Sequence, residues 1–260
     1  MHSVALGPLS LSSYSLSVAV ALAGGLGMLW RLARDRGLDA GLALDAALVG
    51  LLVGLLAARV ETVLTNLEYF RERPALILSL GRGGFGFRSL TVVGVAAYSL
   101  VVRHRARRWQ LYLSVLTPAL ALGAAALWAG ALFWGGFAGV PWSGPGALAL
   151  PDRYGIIVPR LPLQATMAVA HSGFAVAALT VLRRALPAGP CLSLWGASTS
   201  ALAAFLANFR AEQALMLGLL PRSLVADLAL SAAWLIAALL LFGQRGSTPA
   251  STEPDGGPAV

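Results

Sequence analysis

Seven blocks of almost unbroken Ala, Leu, Val and Gly run along the chain, separated by stretches rich in Arg, Gly and Pro. They cover residues 12–30, 41–58, 90–102, 111–134, 165–182, 191–209 and 224–242. Crossing the hydrocarbon core of a bilayer takes about 20 apolar residues in a helix. Six blocks approach that length, and the third does so only if its helix starts near Phe85. None alternates apolar with polar residues, so a β-barrel is excluded and helices are what lipid permits. The pattern predicts an all-α fold, a polytopic membrane helical bundle of about seven transmembrane helices with long irregular outer loops. One integral-membrane domain is expected over residues 1–245. Residues 246–260, rich in Gly, Ser, Pro and Asp, read as a disordered cytoplasmic tail. Residues 1–11 have no basic n-region, so the first span is expected to be retained rather than cleaved.

Composition agrees with that picture. Of 260 residues 58% are hydrophobic and 12% charged, with a mean hydropathy of +0.76; soluble chains carry about 25% charged residues. A single cysteine, Cys191, excludes a disulfide framework. The net charge of +8 suggests a nucleic-acid partner until its distribution is read. All 19 basic residues are Arg, and they lie between apolar blocks rather than on one basic face. They are topology markers. Arg31, Arg34 and Arg36 follow block one; Arg103, Arg105, Arg107 and Arg108 follow block three; Arg183 and Arg184 follow block five; Arg245 follows block seven. These fall in short loops on one side, which the positive-inside rule assigns to the cytoplasm. The N-terminus is then outside and the C-terminus inside.

Candidate chemistry gathers on the outer side, in residues 59–89 and 135–164. Arg59, Thr62 and Asn66 share one helical stripe, and Glu61, Thr65 and Glu68 another. Two readings stand: a polar lining for a headgroup-level cavity, or a helix end emerging into water with a local Arg–Glu pair. From Gly81 to Arg88, four glycines surround Arg82, Arg88, Phe85 and Phe87. Glycine allows close backbone approach and Arg suits phosphate, although a tight re-entrant turn with snorkelling arginines fits equally. Residues 135–164 hold six glycines and five prolines, and irregular backbone of that length usually forms a lid or binding loop.

Ionisable residues within the blocks are few. Arg210, flanked by Asn208 and Glu212, reads either as an interfacial arginine paired with Glu212 or as a site residue. His171 reads as an interhelical hydrogen-bond partner or a functional group. Asp45 and Asp227, near helix starts, read as structural. Three His and one Cys show no metal-ligand spacing, and no cofactor is expected.

Read in order, these features resemble the prolipoprotein diacylglyceryl transferase family. Tyr14 stands where that family has a Tyr in its first span. Ala58-Arg59-Val60 with Asn66 is similar to its Gly-Arg-containing end of span two. Gly83-Gly84 with Phe87-Arg88 resembles its Gly-Gly…Phe-His segment, and residues 130–144 occupy the place of its Gly-Arg-x-Gly-Asn signature. Residues 159–164, containing Arg160 and Gln164, resemble its Arg-His-Pro-x-Gln run, and Asn208-Phe209-Arg210 its closing Phe-Arg. The departures are specific. Arg88 replaces a His; apolar or Gly residues around 133–139 replace an Arg and Asn; Leu161 replaces a His; Thr166 and Met167 replace a Tyr and Glu; Ala203 and Ala207 replace an Arg and Glu.

The resemblance implies a multi-pass protein of the bacterial cytoplasmic (inner) membrane. It implies transfer of the diacylglyceryl group of phosphatidylglycerol to a lipobox cysteine thiol, with release of glycerol-1-phosphate. Its implied partners are phosphatidylglycerol or another anionic phospholipid, and prolipoprotein signal peptides. The expected phospholipid-binding residues are Tyr14, Arg59, Asn66, Gly83, Gly84, Arg160, Gln164 and Arg210, with Arg59 and Arg210 converging on one outer cavity. Arg88, Arg210 and His171 are the residues for a catalytic role. The alternative is a catalytically inactive relative that binds phospholipid or assists lipoprotein processing.

Overall fold

Each of the seven apolar blocks forms a helix, and most continue past the hydropathic limit because polar residues complete the terminal turns. The computed structural model describes residues 3–6, 9–78, 86–152, 154–184, 190–211, 216–217 and 220–243. A hairpin of β1 (Ser3–Leu6) and β2 (Leu9–Ser12) leads into α1 (Ser13–Asp35), then α2 (Ala40–Thr65), the short α3 (Leu67–Glu72) and a 3-10 turn, Pro74–Leu78. After these come α4 (Phe87–Arg105), α5 (Trp109–Trp134), β3 (Leu148–Pro151), β4 (Ile157–Arg160), α6 (Leu163–Arg183) and α7 (Cys191–Ala207). β5 (Met216–Leu217) and β6 (Leu220–Pro221) precede α8 (Arg222–Gly243). The tail over residues 246–260 lies outside the described residues.

Local chemistry sets the helix ends. Ser12 accepts the Ser15 amide and Asp39 the Leu42 amide, both at 3.1 Å, capping α1 and α2. α5 stops at Gly135, whose φ of 75° is the left-handed conformation that ends helices. α1, α2, α5, α6 and α8 are each long and apolar enough to cross a membrane. α7 is shorter, at 17 residues, and α4 is diluted at its ends by Arg88, Arg103, His104 and Arg105. The third span therefore starts at Phe87 and takes in polar residues that hydropathy assigns to the loop.

The helices pack mainly as α1 on α5, α2 on α4, α5 on α6 and α7 on α8. In lipid, apolar area gives helices little reason to associate, so close packing through small residues carries the contact. At Gly54 a Cβ would lie 2.6 Å from the Leu90 carbonyl oxygen, and at Gly50, one turn away, 2.7 Å from that of Gly94. α1 and α5 approach in the same way through Gly25 and Gly123. Large apolar side chains such as Leu52, Leu56 and Leu239 face outward.

The bundle has two unlike ends. At one, Tyr112 accepts the Asp39 amide at 3.1 Å, Tyr98 donates to the Tyr112 carbonyl, and Arg36 donates to the Leu182 carbonyl. The arginine clusters of residues 31–36, 103–108 and 183–184 belong to this end. At the other, Tyr14 meets the Trp134 ring edge-on at 5.2 Å, and the Gly86 amide donates to Ala58. Residues 135–162 lie there and are less irregular than their Gly and Pro content predicts. β3 and β4 pair antiparallel from Leu148–Arg160 to Pro151–Ile157. Asp152 closes their turn, its Oδ1 accepting the Tyr154 and Ile156 amides at 2.8 and 3.0 Å.

Candidate functional site

A cavity of about 270 Å³ opens at the loop-rich end, where α2, α4, α5, α6, α7 and α8 converge. Its polar lining is Glu61, Arg88, Arg210 and Asp227. Gly86, Phe87, Trp128, Phe137, Leu163, Met167, Ala203, Leu206 and Ala207 supply the remainder.

Arg88, in the first turn of α4, forms a two-pronged ion pair with Asp227 of α8. Nε reaches Oδ1 at 2.6 Å and Nη2 reaches Oδ2 at 2.9 Å, while Nη2 also donates to the Ser223 carbonyl at 3.2 Å. A forked guanidinium–carboxylate contact of this kind is both strong and directional. Its side chains are 33% and 11% exposed, so the pair is sheltered but open to the cavity. Glu61, near the end of α2, accepts the Ser89 amide on Oε2 at 3.1 Å. This satisfies one of the unpaired amides at the start of α4 and sets negative charge against the positive end of the helix dipole.

Arg210 follows α7. It is held by an antiparallel bridge to Gly139, in which Val140 donates to the Phe209 carbonyl at 2.8 Å and Ala211 to that of Ala138 at 2.9 Å. Its guanidinium lies 4.7 Å over the Phe137 ring, a cation–π contact. Phe137 has a φ of 56°, rare for a bulky residue. Trp128 and Trp134 hold its ring, with centroids at 4.8 and 6.2 Å.

Arg160 and Gln164 brace the same loop from behind. Arg160 is buried, pairs with Asp152 at 3.0 Å and donates to the Gly139 carbonyl at 3.2 Å. Gln164 is fully buried and donates to the Gly136 carbonyl at 2.9 Å. The Asp152 carboxyl is held below its ordinary pKa, first by the Ile156 amide and then by the Tyr154 amide and Arg160, against the opposing effect of burial.

Of the residues selected from sequence, Arg88 and Arg210 line the cavity, while Arg160 and Gln164 hold the loop that carries Phe137. Arg59 is outside the lining: it is buried, donates to the Ile77 carbonyl at 3.0 Å and to that of Leu76, and lies over Phe70. Arg59 and Arg210 therefore do not meet on this cavity. Tyr14 packs on Trp134, and Asn66 donates to Thr62 and Thr65 at the end of α2. His171 is buried, and its Nδ1 accepts the Trp195 indole N–H at 3.2 Å, the interhelical bond expected of it. Gly83 and Gly84 lie outside the described residues, as does Glu212.

Sequence reasoning missed Glu61 and Asp227 as site residues. Asp227, read as structural from its place near a helix start, has a structural partner on another helix, reaching across to Arg88. The available signal was the rule that a carboxylate at membrane depth needs a named partner. Met167, Ala203 and Ala207, where the resemblance places a Glu, an Arg and a Glu, line the cavity with apolar surface. The charged lining comes instead from α2, α4, α8 and the turn after α7.

Residues 2–243 match the family model described as prolipoprotein diacylglyceryl transferase. Among curated proteins, a phosphatidylglycerol–prolipoprotein diacylglyceryl transferase of Synechococcus elongatus is 36% identical over 123 residues, 47% of this chain and 42% of that protein. One from Parasynechococcus marenigrum is 31% identical over 119 residues, 46% and 43% of the two chains. A third, from Synechococcus sp. strain CC9902, is 29% identical over 147 residues, 56% and 52%. The chain spans about half the length of these curated relatives. The family match, in contrast, takes in every helix of the bundle, and on that extent the chain belongs to the prolipoprotein diacylglyceryl transferase family.

Proposed function

We propose that the protein transfers the diacylglyceryl group of phosphatidylglycerol to the cysteine thiol of a prolipoprotein signal peptide, releasing glycerol-1-phosphate. It would act in the bacterial inner membrane with its N-terminus outside. The observation that carries this reading is the presence of Arg88 and Arg210 on one cavity whose other walls are largely apolar. Arginine stays charged and presents a fork of N–H donors that matches phosphate oxygens. In a water-poor site such donors also stabilise charge developing on a departing phosphate. The Leu163, Met167 and Leu206 surface suits the glyceryl and upper acyl carbons. The cavity lies at the end opposite the short arginine-rich loops, which supports an outward-facing site. The names of the relatives supply the substrates.

Two observations favour the inactive, phospholipid-binding alternative: Arg88 already has a carboxylate partner, and Met167, Ala203 and Ala207 bring no polar group. A reconstitution separates the two readings. Purified protein in phosphatidylglycerol liposomes with a lipobox peptide should give thioether-linked peptide, seen by mass spectrometry, and an equal amount of glycerol-1-phosphate. Saturable phosphatidylglycerol binding without either product, lost on Arg210→Ala, would instead establish the inactive form.

A further inference from the structure

The proposed transfer leaves one requirement open: the thiol proton needs an acceptor. A free cysteine thiol has a pKa near 8.5 and is mostly protonated at neutral pH. No histidine lines the cavity among the described residues, but two carboxylates do. They are not equivalent. Asp227 has both oxygens engaged by Arg88, at 2.6 and 2.9 Å. Glu61 has one oxygen engaged, by the Ser89 amide, and Oε1 has no bonded partner among the described residues.

Glu61 lies directly against the start of α4. Gly86 has φ −72° and ψ 109°, a conformation open to any residue, so its backbone does not require glycine. A Cβ there would fall 2.0 Å from Glu61 Oε2. The absence of a side chain at position 86 leaves the Glu61 carboxylate packed directly against the start of α4. Arg88, Asp227 and Arg210 are the charged groups facing Glu61 across the cavity from α4, α8 and the turn after α7. α5, α6 and α7 present only aromatic or apolar side chains.

We infer that Glu61 is the proton acceptor for the substrate thiol, and that Asp227 is a positioning residue that fixes Arg88 toward the phosphate. The inference rests on the transferase reading above. Glu61 Oε1 takes the proton from sulfur as the S–C bond forms at the glyceryl carbon bearing the phosphate. The C–O bond breaks with its electron pair passing to the phosphate oxygen, and Glu61 returns the proton to the departing glycerol phosphate. No oxidant or reductant is involved, and the carboxylate is regenerated.

Glu61→Gln tests this without removing the acceptor for the Ser89 amide, and thermal melting in detergent confirms that the variant is folded. Turnover is measured in phosphatidylglycerol liposomes with a lipobox peptide from acid to alkaline pH. The variant should lose about 10²–10⁴-fold in kcat at neutral pH, the usual worth of a positioned base, with KM nearly unchanged. Its deficit should shrink as pH rises through about 8.5, where the thiol ionises unaided. Asp227→Asn should raise KM for phosphatidylglycerol and leave the shape of the pH profile intact. A Glu61→Gln enzyme as fast as wild type, or slowed equally at every pH, overturns the assignment of Glu61 alone. A wild-type protein that makes no thioether overturns the transferase reading and the assignment with it.

Discussion

α2 and α4 meet twice, and the two meetings differ. Midway along α2, Gly50 and Gly54 face Gly94 and Leu90, and the backbones approach so closely that no side chain fits between them. Toward the end of α2 and the start of α4, the same two helices bring Glu61 and Arg88 to the border of a cavity. The first contact is made backbone to backbone; the second adds a side-chain carboxylate, with Glu61 of α2 accepting the Ser89 amide of α4 beside an open cavity. The contrast shows that a helix pair in lipid can be fastened by backbone proximity at one level and left free to carry ionisable groups at the next.

That division can be broken at several points. The largest effect is expected at Arg210→Ala, which should lower turnover at least about 10²-fold, as loss of a preorganised charge donor does, without lowering the melting temperature. A matching loss of stability would mean that Arg210 is structural. Gly54→Ala should do the reverse, costing about 1–3 kcal/mol by overpacking, read as a lower melting temperature in detergent. Gly24→Ala is its control, because a Cβ at Gly24 meets nothing within 4 Å, and it should melt no lower than wild type. Asp227→Asn should act on the cavity more gently, raising KM about tenfold, or about 1.4 kcal/mol. The smallest effect belongs to Asp152. Its folded pKa is depressed, so the unfolded chain binds the proton more tightly. Its contribution is complete above the ordinary carboxylate value of about 3.9 and fades as pH falls through the lower folded value. The protection factors of the β3–β4 hairpin amides, taken against the intrinsic exchange rate at each pH, should fall on acidification into that window, and Asp152→Asn should flatten the dependence.

The helices were legible because a lipid-spanning helix must be apolar over nearly all its length, which leaves a continuous mark in sequence. The start of α4 was not, because Arg88 and Ser89 look like loop until Asp227 and Glu61 are seen to satisfy them. The β3–β4 hairpin was hidden by Pro151 and Pro159, which argue against strands except at edges. At the site, Arg210 and Arg88 stood out as arginines beside apolar blocks. Glu61 and Asp227 each had a sufficient local explanation, in a helical neighbour for one and a helix dipole for the other. Arg59, one of the arginines expected to hold phosphate, donates to the carbonyls of Leu76 and Ile77, a use no spacing rule foretells.

The ion pair between Arg88 and Asp227 joins residues 139 positions apart, one on the third long helix and the other on the last. Domains of nascent proteins form from the N-terminus onward. Arg88 gains its forked carboxylate partner only once α8 has been made and packed. Electrostatic completion of the chamber thus waits on a contact of long sequence separation, and a chain cut before α8 would keep its α1–α5 and α2–α4 packing yet leave the Arg88 fork without Asp227.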